Sequence, residues 1–122
     1  MQDEIKPEEW TEFFQAFNER NQARPTRLET FGELGAQEEE LHLPFSGISY
    51  DRKDKGAPAL QIMLGGSTAQ DARHLMHTIP HVRRVWAKQS PDGRDEALEI
   101  EDNNGTKTLL QFEALAELTA TQ

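Results

Sequence analysis

Cysteine is absent from this 122-residue chain. That excludes a disulfide framework, a thiolate metal site and a thiol nucleophile together, and it suits a reducing compartment. No apolar run approaches the ~18 residues that a membrane-spanning helix needs, so no membrane role is expected. Positive charge is scarce: 13 Lys and Arg stand against 22 Asp and Glu, for a net charge of −9. Such a surface repels phosphate backbones and anionic lipid. The best basic grouping, Arg83-Arg84 with Arg73 and Lys88, has only Trp86 beside it for stacking. No nucleic-acid partner is expected. The start, Met1 to Pro7, lacks the basic-then-apolar order of a secretory signal, and a cytoplasmic location is expected.

What is present is the composition of one globular domain, 35% hydrophobic and 29% charged. Aromatic residues number nine, and five of them (Trp10, Phe13, Phe14, Phe17 and Phe31) precede residue 32. The first four fall at i, i+3, i+4 and i+7, which places them on one helical face. Pro7 suits the first turn, Glu8 and Glu9 complement the positive helix end, and Pro25 lies beyond the exit. A helix over about residues 7–21 follows. Its stripe would serve either a groove-binding partner contact or a core; aromatic area on this scale belongs in a core.

The rest of the chain reads as antiparallel strands over about residues 26–112, with a short tail at 113–122. Leu98 and Ile100 alternate with Glu99 and Glu101, Asn104-Gly105 supplies a tight turn, and Thr106 to Phe112 returns. Thr26–Phe31, Gln37–Leu43, Pro44–Asp51, Ala59–Leu64, His74–Val82 and Val85–Gln89 read as further strands. Gly32 to Gly35 and Ser90-Pro91-Asp92-Gly93 read as turns. Glu113 to Leu118 adds a last helical turn or a frayed tail. The expected core is Trp10, Phe13, Phe14, Phe17, Leu28, Ile48, Leu60, Ile62, Leu64, Ile79, Val85, Trp86, Leu98, Ile100, Leu110 and Phe112. The expected fold is α+β and mainly β: one amphipathic helix on a curved antiparallel sheet, or small open barrel, of about six to eight short strands.

Residues with chemical potential are few. His74, His77 and His81 lie within eight residues, and imidazole is a common metal ligand. On a helix they would share a face; on a strand the odd spacing sends His74 and His77 to opposite sides. With Ile79-Pro80 following, the strand reading separates them, and no metal or cofactor is expected. Glu38-Glu39-Glu40 reads as a solvated edge-strand face rather than a cation site. Gly65-Gly66-Ser67-Thr68 lacks the GxxxxGK[ST] pattern and its lysine, so it is a connection and not a phosphate loop. Asp92, Asp95, Glu96, Glu99 and Glu101 supply carboxylates, but nothing marks two of them as a catalytic pair. Ser46 and Ser67 lack a GxSxG setting.

Several blocks together resemble a small bacterial family, domain of unknown function 5335. They are Ile5-Lys6-Pro7-Glu8-Glu9-Trp10-Thr11-Glu12-Phe13-Phe14, Leu34-Gly35-Ala36-Gln37, Leu43 to Asp51, and His77-Thr78-Ile79 before Val85-Trp86. Asp92 to Glu101, with Gly105-Thr106 and Thr108 to Phe112, completes the likeness. It covers about residues 5–113. The resemblance implies a stand-alone soluble helix-plus-antiparallel-sheet domain and carries over no functional residue. One departure is Arg24-Pro25-Thr26-Arg27, which stands where the family suggests a longer, more apolar first strand.

The functional expectation is a non-catalytic interaction module that binds another protein or a small ligand through the sheet or the loops at 51–58 and 65–73. The alternative is a metal- or carboxylate-dependent enzyme built on His74, His77 and His81.

Overall fold

The computed structural model describes residues 2–32, 35–53, 55–65 and 74–113. The helix starts later than its sequence signals suggest. Pro7–Glu9 forms a 3₁₀ turn, and the α-helix proper, α1, runs Trp10–Arg20. Eight strands accompany it: β1 (Gln2–Ile5), β2 (Pro25–Gly32), β3 (Gly35–Asp51), β4 (Ala59–Gly65), β5 (His74–Ile79), β6 (Val82–Gln89), β7 (Asp95–Asp102) and β8 (Lys107–Phe112). They form one antiparallel sheet in the order β1-β6-β7-β8-β2-β3-β4-β5. The sheet curves without closing, because β1 and β5 end it.

Two expectations about strands are corrected here. Gln2–Ile5, outside the strands expected at about 26–112, is a strand that pairs with β6 from Gln2↔Lys88 to Ile5↔Val85. The two strands expected at 37–43 and 44–51 are one strand of 17 residues. Its first half pairs with β2 as far as Pro25↔Pro44, and its second half pairs with β4 after a bulge between Phe45 and Gly47. The bulge bends the strand, so β3 serves both arms of the curved sheet.

The concave face of the sheet holds α1. Trp10, Phe14 and Phe17 are buried, and Phe13 packs against the core at its edge. Phe17 meets Phe45 and Phe112 with ring centroids 5.5 and 5.7 Å apart, and Trp10 meets Tyr50 edge-on at 5.5 Å. Such geometries suit the aromatic quadrupole. The Trp10 indole N–H donates to the carbonyl of Ile5 at 2.9 Å, which ties β1 to the helix start. Asn18 clamps the bent strand: its amide donates to the carbonyl of Ile48 and accepts from the Ile48 N–H, both at 2.9 Å. A helix side chain thereby supplies the pair of bonds a neighbouring strand would make.

Alternation along Leu60, Ile62 and Leu64, and along Leu98, Ile100, Leu110 and Phe112, faces the core as expected. Trp86 does not: it lies on the convex face, half-buried, with Lys107 Nζ 5.8 Å from its ring centroid. Its neighbours Val85 and Ala87 take the inward positions instead. Leu43, Phe45 and Val82 complete the core.

Both hairpins around β7 use the same turn. Gly93 N–H donates to the Ser90 carbonyl, and Gly105 N–H donates to the Asp102 carbonyl. Gly93 and Gly105 then take φ of 87° and 82°. This is a type I turn followed by a left-handed glycine, a three-residue hairpin loop. The loop after β7 therefore spans Asn103, Asn104 and Gly105, and only Gly105 needs the positive φ expected of the Asn104-Gly105 pair.

Candidate functional site

Register places the site. On the convex face, Lys88 on β6 opposes Ala97 on β7, Ala97 opposes Gln111 on β8, and Gln111 opposes Arg27 on β2. Lys88 and Arg27 therefore stand three strand spacings apart, about 14 Å, with small Ala97 forming the floor between them. The adjacent row is Trp86, Glu99, Leu109 and Glu29. Where these rows meet the Ser90–Arg94 turn and Arg24, they enclose a recess of about 810 Å³. Its cationic groups are Arg24, Arg27, Lys88 and Arg94; its carboxylates are Asp92, Asp95, Glu96, Glu99 and Glu113. Its apolar lining includes Trp86, Leu109 and Phe112.

One wall is held rigidly by Asp95, in sequence one of five carboxylates with nothing to mark it out. It is 4% exposed. Its carboxylate accepts from Arg20 Nε at 2.9 Å and Arg20 Nη2 at 3.2 Å, from Asn21 Nδ2 at 2.9 Å and from Gln89 Nε2 at 3.0 Å. Burial alone would raise its pKa; the bonds from Arg20, Gln89 and Asn21 outweigh that and hold the carboxyl below the ordinary aspartate value. Asn21, also buried, donates back to the carbonyl of Phe17 at 2.8 Å. The network joins the end of α1 to the start of β7. Four donors on one carboxylate leave it no capacity to act as an acid or base.

Arg24 continues the network into the recess. Its Nη1 donates to Asn21 Oδ1 at 2.7 Å and to the Asp95 carbonyl at 2.9 Å, while its guanidinium lies 4.3 Å from the centroid of Phe112. Burial, and then the like charge of Arg94, lower its pKa, with the charge of Asp95 acting the other way. At the turn, Asp92 accepts from the Ser90 hydroxyl. That bond first, then burial acting in the opposite sense and the Arg94 backbone N–H, leave the Asp92 carboxyl below its usual value. The Lys88–Glu96 contact, at 3.9 Å and well exposed at both ends, is a weak surface pair.

The histidines do not assemble. His74 is exposed and His77 half-buried, on opposite faces of β5, as period-two alternation requires. His81 lies in the β5–β6 turn with a φ of 52°, its N–H donating to the Gly56 carbonyl and its carbonyl accepting from Asn103. Among the described residues, no group of three or more His, Cys, Asp or Glu side chains is placed to hold a metal ion. The side chains of Glu38, Glu39 and Glu40, most of the 65–73 loop and the tail beyond Glu113 lie outside the described residues, as does Arg73. The 52–58 loop is tied to the β5–β6 turn by Gly56 and Pro58, whose carbonyls accept from His81 and Val82 at 2.7 and 2.8 Å. A second, more open hollow of about 590 Å³ lies between α1 and Ile48–Lys53.

Sequence reasoning missed the recess because its cations are scattered over residues 24–94 and converge only through strand pairing. The findable signal was the alternation of Trp86, Lys88, Ala97 and Gln111 out of the core.

The class is thus an α+β domain: one helix cradled by an open, eight-stranded antiparallel sheet that carries a charged recess on its convex side. The chain belongs to the family of unknown function DUF5335, whose model matches residues 1–121. It is also 28% identical, over 109 residues, to an uncharacterised protein of Aquifex aeolicus (strain VF5), a likeness covering 88% of each chain. No solved structure matches. Among the described residues, no helix is long and apolar enough to cross a membrane.

Proposed function

We propose that this domain is a non-catalytic binding module and that the recess beside the β6–β7 hairpin takes its ligand. The observation that carries the reading is a rigid wall beside uncommitted cations. Asp95, Asn21 and Arg24 are locked to the end of α1, whereas Arg27 and Arg94 have no hydrogen bond or ion pair from their guanidinium groups among the described residues. Preorganised polar groups around an apolar floor are the usual make-up of a ligand site. Among the described residues, the only deeply buried carboxylate there is saturated by donors, which favours binding over acid–base chemistry. A cytoplasmic, soluble setting accords with the absence of cysteine and the acidic surface.

A thermal-shift screen of small metabolites and short peptides tests this. A ligand that binds only the folded state raises Tm with its concentration. Hits are expected to lose their effect in Trp86→Ala and Arg27→Glu, both convex-face changes. Hits that survive both substitutions would move the binding surface elsewhere.

A further inference from the structure

Resting on the recess as the ligand site, the geometry points to the ligand class: we infer that it takes a small carboxylate with an apolar or aromatic body. The carboxylate would sit between Arg24, Arg27 and Arg94, and the body would lie over Ala97 toward Trp86 and Leu109.

Three guanidinium groups line one recess of a chain whose net charge is −9. Among the described residues, none of the three has a carboxylate within ion-pairing distance. Asp95 spends its carboxylate oxygens on Arg20, Asn21 and Gln89, and the hydrogen bond it accepts from Arg24 is at its backbone carbonyl. Arg24 is held by Nη1 alone and by the Phe112 ring, so its remaining N–H groups keep their donor capacity. Its fixed plane costs little further entropy on meeting a planar oxyanion. Burial first and then the like charge of Arg94 lower the Arg24 pKa, with the charge of Asp95 acting the other way.

A fork of guanidinium donors accepts carboxylate or phosphate alike. The surroundings decide between them. Glu96, Glu99, Glu113 and Asp92 line the same recess, so a second negative charge on the ligand adds to the repulsion it meets there. A monoanion gains the guanidinium bonds with less of that repulsion. Trp86 and Leu109 then give an apolar body a surface to cover, while Lys88 borders the far side.

The test compares three probes that share a phenyl ring: phenylacetate, phenyl phosphate and 2-phenylethanol. Dissociation constants are measured by ligand-observed NMR for the wild-type chain and Trp86→Ala, and for Arg27→Gln and Arg94→Gln. Both positions are exposed and hydrogen-bond nothing through their side chains among the described residues, so the variants are expected to keep the wild-type Tm. Phenylacetate is expected to bind tightest, and each substitution to weaken it about tenfold, as for loss of one hydrogen bond to a charged group. Tighter binding of phenyl phosphate would overturn the monoanion assignment. Equal binding of 2-phenylethanol, unaffected by the two substitutions but lost in Trp86→Ala, would overturn the anion inference and leave the recess as the site. Binding of any probe that survives all three changes would contradict the recess itself, whereas no binding by any probe would overturn the ligand class and leave the recess to the thermal-shift screen.

Discussion

Asp95 shows how a single side chain can anchor a site without taking part in it. Removing the carboxylate would strand an amide donor of buried Asn21 and take one bond from half-buried Gln89. Arg20 is 44% exposed along its side chain, so solvent screens the ion pair and the amide bonds carry more of the effect. Asp95→Ala is expected to destabilise the fold by about 2 kcal/mol, measured by urea denaturation. The pH dependence has a definite sign. A carboxyl whose folded pKa lies below its unfolded value stabilises fully above the unfolded value, about 3.9. That contribution is lost as pH falls through this value toward the lower folded one. The stability gap between wild type and Asp95→Asn is therefore expected to be flat near neutrality and to shrink below about pH 4. A gap that stays constant down to pH 2 would mean that Asp95 is not held ionised by these donors. None of this was legible in the sequence, where Asp95 is one acid among several near a turn. Its burial follows from where α1 ends.

At the scale of elements, the two hairpins and the Asn18 clamp carry the fold. Gly93 and Gly105 have nothing within 4 Å of an added Cβ, and both adopt a left-handed φ. Substitution there meets strain but no clash. Gly93→Val and Gly105→Val are each expected to cost about 1–2 kcal/mol, with Gly105→Val leaving ligand affinity per folded molecule unchanged. Asn18→Leu removes both bonds to Ile48 and should cost about 2 kcal/mol or more, read from the denaturation midpoint. Turn chemistry and period-two alternation made the β7–β8 hairpin, β4 and the helix face readable in advance. β1 was not readable, because Gln2-Asp3-Glu4-Ile5 has no strand pattern of its own and becomes one by pairing with β6, 80 or more residues later. The unity of β3 was hidden by Pro44, which sits where the strand passes from one partner to the other. Trp86 was misassigned because a large apolar residue in an alternating segment looks like core; the inward set is Val85 and Ala87.

Over the whole molecule, one helix fills the hollow of an open sheet whose convex side bears the recess. Burial of Trp10, Phe14 and Phe17 is worth about 1.5–3 kcal/mol each, against a total stability of about 5–15 kcal/mol for a domain of this kind. A chain lacking residues 1–22 is expected to be unfolded, with collapsed amide dispersion in its NMR spectrum. The two tryptophans separate fold from function. Trp10 is 1% exposed and bonded to Ile5, so its indole N–H reports the core. Trp86 lines the recess. The most direct measurement is the pair of indole resonances during titration with phenylacetate. The expected result is a saturable shift of the Trp86 signal with the Trp10 signal unmoved. A stationary Trp86 signal, or equal movement of both, would contradict a ligand site in the recess.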